Sequence, residues 1–446
     1  CTSISDATYG NWYLEDNTGS IYIYGTLDKD GNTKNFLSWG LEVGDIVTVE
    51  GPRGTYNGTI ELVVATIINI KKSTVNYSSN GVEYKLDNNS LSATVSHITA
   101  TDTDLVIPNS ITYNGSTYSV TALGESLFDN NISNYYIYSV TFPESIKEVS
   151  EKAFLGEGPS AIVWNSNTKL PSNAFSDSRY KDGNFILYVN NTSVAPSGIN
   201  NLVVDGTADE ITLRDGAVFN CPKEFTARKI SYTHNYKMQT GVGESAGWET
   251  LALPFNVTLI KHETKGELVP FTNYQNEPDK KPFWLFNLSN SGFVKASSIK
   301  ANTPYIISMP NNSNYSTNYN IAGRVTFSAT NTKVNRSGLP FMNTATYDGG
   351  TFYPCYSFYS KSDSNYALNV TNDDMTYTGS EKPGSIFLSN YRMIYPFEGR
   401  IMKPTSNSRR FSIVFADDDE TTDIQGILIM LRKCFLIYLH KDLNSL

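Results

Sequence analysis

The sequence predicts a mainly β chain of several domains: a small barrel, a short solenoid of repeats and a C-terminal β-sandwich-like domain. Three observations carry this. Aromatic residues are abundant (13%, with 29 Tyr) and charged residues scarce (18%), among frequent Gly, Asn, Ser and Thr; aromatic and β-branched side chains suit half-buried pleated surfaces, and Asn and Gly supply positive-φ turns. Few stretches carry the 3.6-residue apolar period of a long helix. The length of 446 residues exceeds one ordinary core, so about two to four domains are expected.

The first domain is expected over residues 1–74. Apolar and polar residues alternate in Asn11–Leu14, Ser20–Tyr24 and Asp45–Glu50, and Thr59–Ile70 is long and rich in β-branched residues. Turn signals separate them at Asp16-Asn17-Thr18-Gly19, Asp30-Gly31-Asn32 and Tyr56-Asn57-Gly58. Strands at this spacing suggest a closed or partly closed barrel. The string Tyr9-Gly10-Asn11-Trp12-Tyr13-Leu14, followed by Leu41-Glu42-Val43-Gly44-Asp45-Ile46-Val47-Thr48-Val49-Glu50-Gly51, resembles the OB-fold modules of bacterial surface proteins. The resemblance implies an exposed aromatic face of the kind that binds oligosaccharides or oligonucleotides. Candidate ligand-binding residues are Tyr9, Trp12, Tyr13, Tyr22, Tyr24 and Trp39; alternation lets only some of them point outward.

Residues 75–205 carry a repeat. Val120-Thr-Ala-Leu-Gly-Glu-Ser-Leu-Phe128 is echoed by Ile146-Lys-Glu-Val-Ser-Glu-Lys-Ala-Phe154 and, more briefly, by Leu170-Pro-Ser-Asn-Ala-Phe175. The phenylalanines fall 26 and then 21 residues apart, a period that belongs to solenoids with one strand and one short turn per coil. Strands are expected at Ser139–Pro143 and Ala161–Trp164, and Phe128, Phe154 and Phe175 form a core ladder. The run Asp104–Gly124 and the run Phe142–Val149 resemble the BspA-type leucine-rich repeat surface proteins of Bacteroidetes type. That resemblance, over about residues 80–178, implies a cell-surface or secreted protein involved in adhesion to host proteins or neighbouring cells. With two or three coils, little concave surface is left for binding.

A β-sandwich-like domain is expected over residues 206–416, with strands at Thr250–Val257, Pro282–Leu288, Tyr305–Met309, Val325–Ser328, Ser385–Leu388 and Phe411–Phe415. Gly243-Glu244-Ser245-Ala246-Gly247 is a literal G-x-S-x-G, which presents a nucleophile only where a strand turns sharply into a helix. Here it runs into Trp248-Glu249-Thr250-Leu251-Ala252-Leu253-Pro254, which alternates like a strand, so a loop of small residues is expected and a Ser245 hydrolase is the disfavoured alternative. The histidines His97, His234, His262 and His440 form no metal-like pair. Asp28-Lys29-Asp30-Gly31 lacks the closing ligands of a calcium loop. No cofactor, metal or catalytic residue is expected.

The net charge of −9 disfavours a dedicated nucleic-acid binder, which must neutralise phosphates with Lys and Arg. The cysteines, Cys1, Cys221, Cys355 and Cys434, show no C-x-x-C spacing, so no zinc site is expected. For Cys221 and Cys355 a disulfide and two free buried thiols are both open. No apolar run is long enough to span a bilayer, and no signal peptide is visible. Cys1 admits two readings, a lipid-bearing first residue of an exported lipoprotein or a start left by truncation or processing. Strand-like sequence begins almost at once, where a lipidated Cys would be followed by a polar spacer, which favours the second. Residues 417–446 read as an acidic linker, Asp417-Asp418-Asp419-Glu420, and an atypical apolar tail. After Gly426 that tail is either a frameshift product or a short interfacial or partner-binding helix. The function that follows is a non-enzymatic, surface-exposed binding or adhesion protein for a protein or glycan. The alternative is oligosaccharide or nucleic-acid binding through the OB-like domain.

Overall fold

The computed structural model describes residues 1–100, 104–128, 137–156, 158–241, 245–314, 320–370, 379–403 and 408–416. The expected tail over 417–446 lies outside the described residues. The described chain is nearly all β, arranged in several sheets, some of them curled.

In the first sheet, Ser3–Asp6, Asn11–Asp16 and Gly19–Leu27 form an antiparallel meander. Gly19–Leu27 then pairs in parallel with Thr59–Lys71, which pairs antiparallel with both Ile46–Glu50 and Arg53–Tyr56. The sheet curls back on itself: the Gly44 amide donates to the Cys1 carbonyl (2.8 Å), and the Cys1 amino group donates to the Asp45 carbonyl (2.7 Å). One long strand can serve two partners because Gly51 lies between them; a Cβ there would stand 2.9 Å from Ala65 Cα. Inward-facing Trp12, Ile23, Val47, Ala65 and Ile67 fill the interior with Phe36, Leu41 and the Cys1 side chain. All four strands expected here form, each within a few residues of its expected limits.

The repeat region forms a ladder of parallel strands in register: Asp104–Val106, Ser139–Phe142, Ala161–Trp164, Ile186–Val189 and Leu202–Val204. A shorter parallel stack of Ser92–Ile98, Ser116–Leu123 and Glu148–Val149 lies on the other side of the solenoid core. Between them Phe128, Phe154 and Phe175 are buried, with ring centroids 6.5 Å and 5.0 Å apart along the series. Phe142 meets Phe154 edge-on at 5.9 Å. Each such pair adds about 0.5–1.5 kcal/mol beyond its buried area. The last two rungs carry no Ala-Phe echo, which is why the repeat count read from sequence stops short of them.

The outer face of this ladder is covered. One row runs Val106, Thr141, Val163, Tyr188, Val203 across the five strands. Its first member is 66% exposed, while Val163, Tyr188 and Val203 are 7%, 4% and 1% exposed. These last three belong to one core with Phe225, Ile230, Phe283 and Phe327 from the C-terminal region. The strand ladder also passes residue 205 without a break: Leu202–Val204 turns through Asp205-Gly206 onto Thr207–Ala208, which pairs with Phe225–Tyr236.

Phe225–Tyr236 runs antiparallel to Gly323–Val334 along its whole length. Further on, Lys281–Ser289 and Pro304–Ser308 form a layer buried on both faces. Phe283, Leu285 and Ile307 face the core shared with the ladder. Trp284, Phe286 and Ile306 face Phe352, Tyr366, Phe387, Ile401 and Phe411 of a six-stranded sheet built from residues 345–412. Two sheets thus share a core face to face, as in a sandwich. Each of the six strand segments expected here overlaps an observed strand.

Candidate functional site

Strand alternation sorts the six candidate aromatics. Trp12 points inward and is fully buried; its indole N–H donates to Thr26 Oγ1 (3.0 Å), and the Thr26 hydroxyl donates to the Gly10 carbonyl (2.8 Å). This corrects its place among the ligand-binding candidates: an indole whose N–H finds an internal acceptor belongs in the core, and Trp12 fills the barrel. Tyr9 and Trp39 stand outside the strands. Lys34 Nζ lies 5.4 Å from the Tyr9 ring centroid, and Lys29 Nζ lies 5.4 Å from that of Trp39, whose indole donates to the Leu27 carbonyl (2.7 Å). A lysine already covers one face of each ring.

Tyr13, Tyr22 and Tyr24 remain, and they share the outer face of the sheet. Tyr13 and Tyr22 are direct cross-strand partners with ring centroids 4.7 Å apart and planes tilted by 44°. Tyr24 follows two residues along the same strand. Tyr13 and Tyr24 are 43% and 53% exposed, and half-buried Tyr22 is held by a hydroxyl–hydroxyl bond to Ser5 (3.2 Å). Opposite Tyr22 on the neighbouring strand stands Glu61, and opposite Glu61 stands Gly54. Glu61 is 9% exposed, and among the described residues it has neither an ion pair nor a side-chain hydrogen bond. Glu61 is not among the residues expected from sequence. Its signal was positional, since Leu62 faces the core and the alternation therefore turns Glu61 and Val63 to the tyrosine side. Next to this face Gly25 (φ +82) is level with Val64 (φ +55), a left-handed conformation costly for a β-branched residue.

The G-x-S-x-G segment has no elbow. Residues 242–244 lie outside the described residues; Ser245 Oγ accepts from the Trp248 indole (2.9 Å). The chain then turns at Gly247 (φ +84) into the strand Glu249–Ala252, where the elbow would need a helix. Buried His262 is held at both nitrogens, Nε2 against the Ala322 carbonyl (3.0 Å) and Nδ1 accepting from the Thr264 and Lys265 amides (3.0 and 3.1 Å). His97 stands on Ser92–Ile98, and His440 lies outside the described residues. Asp28 is a loop organiser, its carboxylate accepting from the Asp30 and Asn32 amides and the Asn35 side chain (2.9, 2.8 and 3.0 Å). Among the described residues no group of three His, Cys, Asp or Glu side chains is placed to hold a metal ion.

A second cluster was not anticipated. His234 Nδ1 meets Asp215 (2.6 Å) and His234 Nε2 meets Glu249 (2.9 Å), while the Tyr232 hydroxyl donates to Asp215 (2.5 Å). Burial alone would lower the imidazole pKa, but the two carboxylates outweigh it and hold it at about 10. An imidazolium clamped in this way is a poor general base near neutral pH. It ties the turn at 215 and the strand Phe225–Tyr236 to Glu249–Ala252. Cys221 and Cys355 are free and buried. Burial pushes each thiol up to about 12, against the opposing pull of the Tyr188 hydroxyl at Cys221 and of Arg400 at Cys355.

No protein-family profile matches the chain, and no curated protein does. Among solved structures, a leucine-rich cell-surface protein of Faecalibacterium prausnitzii A2-165 aligns at 16% identity with a TM-score of 0.21. The alignment covers 33% of this chain and 38% of that one, so it spans well under half of either protein. No helix among the described residues is long and apolar enough to cross a membrane.

Proposed function

We propose that the chain is a non-enzymatic binding protein of the cell surface or extracellular space, which engages a protein or glycan through the tyrosine face of its first sheet. The observation that carries the reading is the contrast between two surfaces. Tyr13, Tyr22 and Tyr24 stand together on an open sheet face, whereas the outer face of the repeat ladder is filled by the downstream core from its third strand onward. The strand path of the first sheet, in which the third strand runs parallel to the last and the first returns to the start of the fourth, supports an OB-type module. The buried phenylalanine series supports the BspA-type reading of the repeats.

Nucleic acid is the less favoured ligand. Residues 1–74 hold nine Asp and Glu against Lys29, Lys34, Arg53, Lys71 and Lys72. Lys29 and Lys34 lie over rings, and Lys72 is tied to Asp45 (2.8 Å) and Glu42 (3.2 Å). A phosphate backbone would find little counter-charge there. The test is binding of the whole purified chain to arrays of matrix proteins, glycans and single-stranded oligonucleotides at physiological salt, beside a Tyr13→Ala/Tyr24→Ala variant. The proposal expects saturable binding to a protein or glycan that the variant loses. Equal binding by both proteins sinks it.

A further inference from the structure

We infer that the tyrosine face takes a cationic side chain, a guanidinium above all, from a basic segment of a partner protein, with Glu61 as its counter-charge. The inference rests on the reading of this face as the binding face and adds the chemistry of the ligand.

Four features converge on it. Glu61 lies inside the row Tyr13, Tyr22, Glu61, Gly54, which crosses four adjacent strands on one face. The residue is 9% exposed, yet its side chain has no partner among the described residues. A carboxylate on a largely covered residue, without a hydrogen bond or an opposite charge, is one that an arriving cation would stabilise. Its oxygens are not among the sealed-off buried polar atoms, so the carboxylate opens onto the face. Gly54 beside it carries no side chain that could cover it.

The tyrosines point to the same ligand. A ring face is the negative side of its quadrupole, so the faces of Tyr13, Tyr22 and Tyr24 attract cations, and the Tyr22 hydroxyl is engaged with Ser5. A planar guanidinium can stack on a ring and still give two parallel hydrogen bonds to a carboxylate. A neutral sugar could use the rings and offer hydroxyls, but it would leave the charge of Glu61 unmatched. A polyanion would meet that charge directly. Among the described residues no Lys or Arg forms an ion pair with Glu61.

The experiment measures binding of a fluorescent peptide, Gly-Ser-Arg repeated four times, to the full chain at low and high salt, with a Gly-Ser-Gln repeat as control. Four proteins are compared: the parent, Glu61→Gln, Tyr13→Ala/Tyr24→Ala, and Glu210→Gln as a remote change of the same charge. The inference expects saturable binding of the arginine peptide alone. Glu61→Gln and the tyrosine variant weaken it at least tenfold, Glu210→Gln does not, and high salt weakens the parent more than Glu61→Gln. Glu61→Gln preserves shape, and an unchanged circular dichroism spectrum and melting point show that the loss is not unfolding. No peptide binding, or equal loss in Glu61→Gln and Glu210→Gln, overturns the inference. Glycan binding that the tyrosine variant loses and Glu61→Gln keeps also overturns it, while leaving the tyrosine face as the binding face. If neither peptide nor glycan binding responds to the tyrosine variant, the reading of the face fails with it.

Discussion

Tyr188→Ala tests whether the repeat ladder has a free outer face. Tyr188 is 4% exposed, meets Phe225 edge-on with centroids 5.9 Å apart, and donates its hydroxyl to Cys221 Sγ (3.4 Å). Truncating an aromatic side chain in such a core costs about 3–5 kcal/mol. The ring pair and the hydroxyl contact place this site near the middle of that range, at about 4 kcal/mol. Val163→Ala, in the same row, should cost about 2 kcal/mol. Val106→Ala provides the internal control, because Val106 occupies the same row but is 66% exposed, and a surface change of this kind stays within about 0.5 kcal/mol. Hydrogen exchange over the peptides containing 161–164 and 186–189 reads these differences locally. At about 1.4 kcal/mol per factor of ten, Tyr188→Ala should speed exchange there roughly a thousandfold where opening is at equilibrium, and Val106→Ala by less than about threefold. Equally small effects at Tyr188 and Val106 would refute the covered face and restore the ladder as a candidate binding surface.

Two further predictions follow from buried groups. Because His234 is raised from 6.5 to about 10, its clamp stabilises fully below pH 6.5, and that contribution drains away as pH rises through 10. Asp215 works in the opposite direction: burial opposes its charge, but the His234 hydrogen bond holds its carboxyl below the usual value, so its contribution disappears only in acid. The rise at His234 corresponds to at most about 5 kcal/mol, and screening at the partly exposed Asp215 reduces the observable loss to about 2–3 kcal/mol. A His234→Gln variant should flatten the fall in denaturation midpoint between pH 6.5 and 10; an unchanged slope would reject the clamp. The Cys221 and Cys355 thiols, both buried and held near 12, should resist a thiol reagent at pH 8 in the folded chain and react on unfolding. Fast native labelling at either cysteine would contradict their burial.

Much of this fold was legible in local pattern. The strands of the first sheet follow simple alternation, and the 26- and 21-residue spacing of Phe128, Phe154 and Phe175 picked out rings that touch. Phe225–Tyr236 escaped because Arg228 and Lys229 are both exposed, which shifts the phase between Ala227 and Ile230 and hides a twelve-residue strand. The covering of the ladder has a local signal in the sequence. Ala161-Ile-Val-Trp164 and Ile186-Leu-Tyr-Val189 are apolar at every position, the mark of strands buried on both faces. At the candidate site, composition supplied the tyrosines but could not separate Trp12 from Tyr13. Alternation places Glu61 on the tyrosine side, but its lack of a partner is not legible in sequence, because that depends on the whole tertiary arrangement. The Asp215–His234–Glu249 clamp likewise joins residues whose meeting no spacing announces.

The most direct test of the central claim is tyrosine footprinting of the full chain with and without a ligand recovered from the arrays. Nitration read by mass spectrometry should fall at Tyr13, Tyr22 and Tyr24 together on binding, and stay unchanged at part-exposed Tyr347 on the strand Ala345–Tyr347 of the C-terminal sheet. Protection elsewhere, with those three tyrosines still reactive in the complex, would contradict the account.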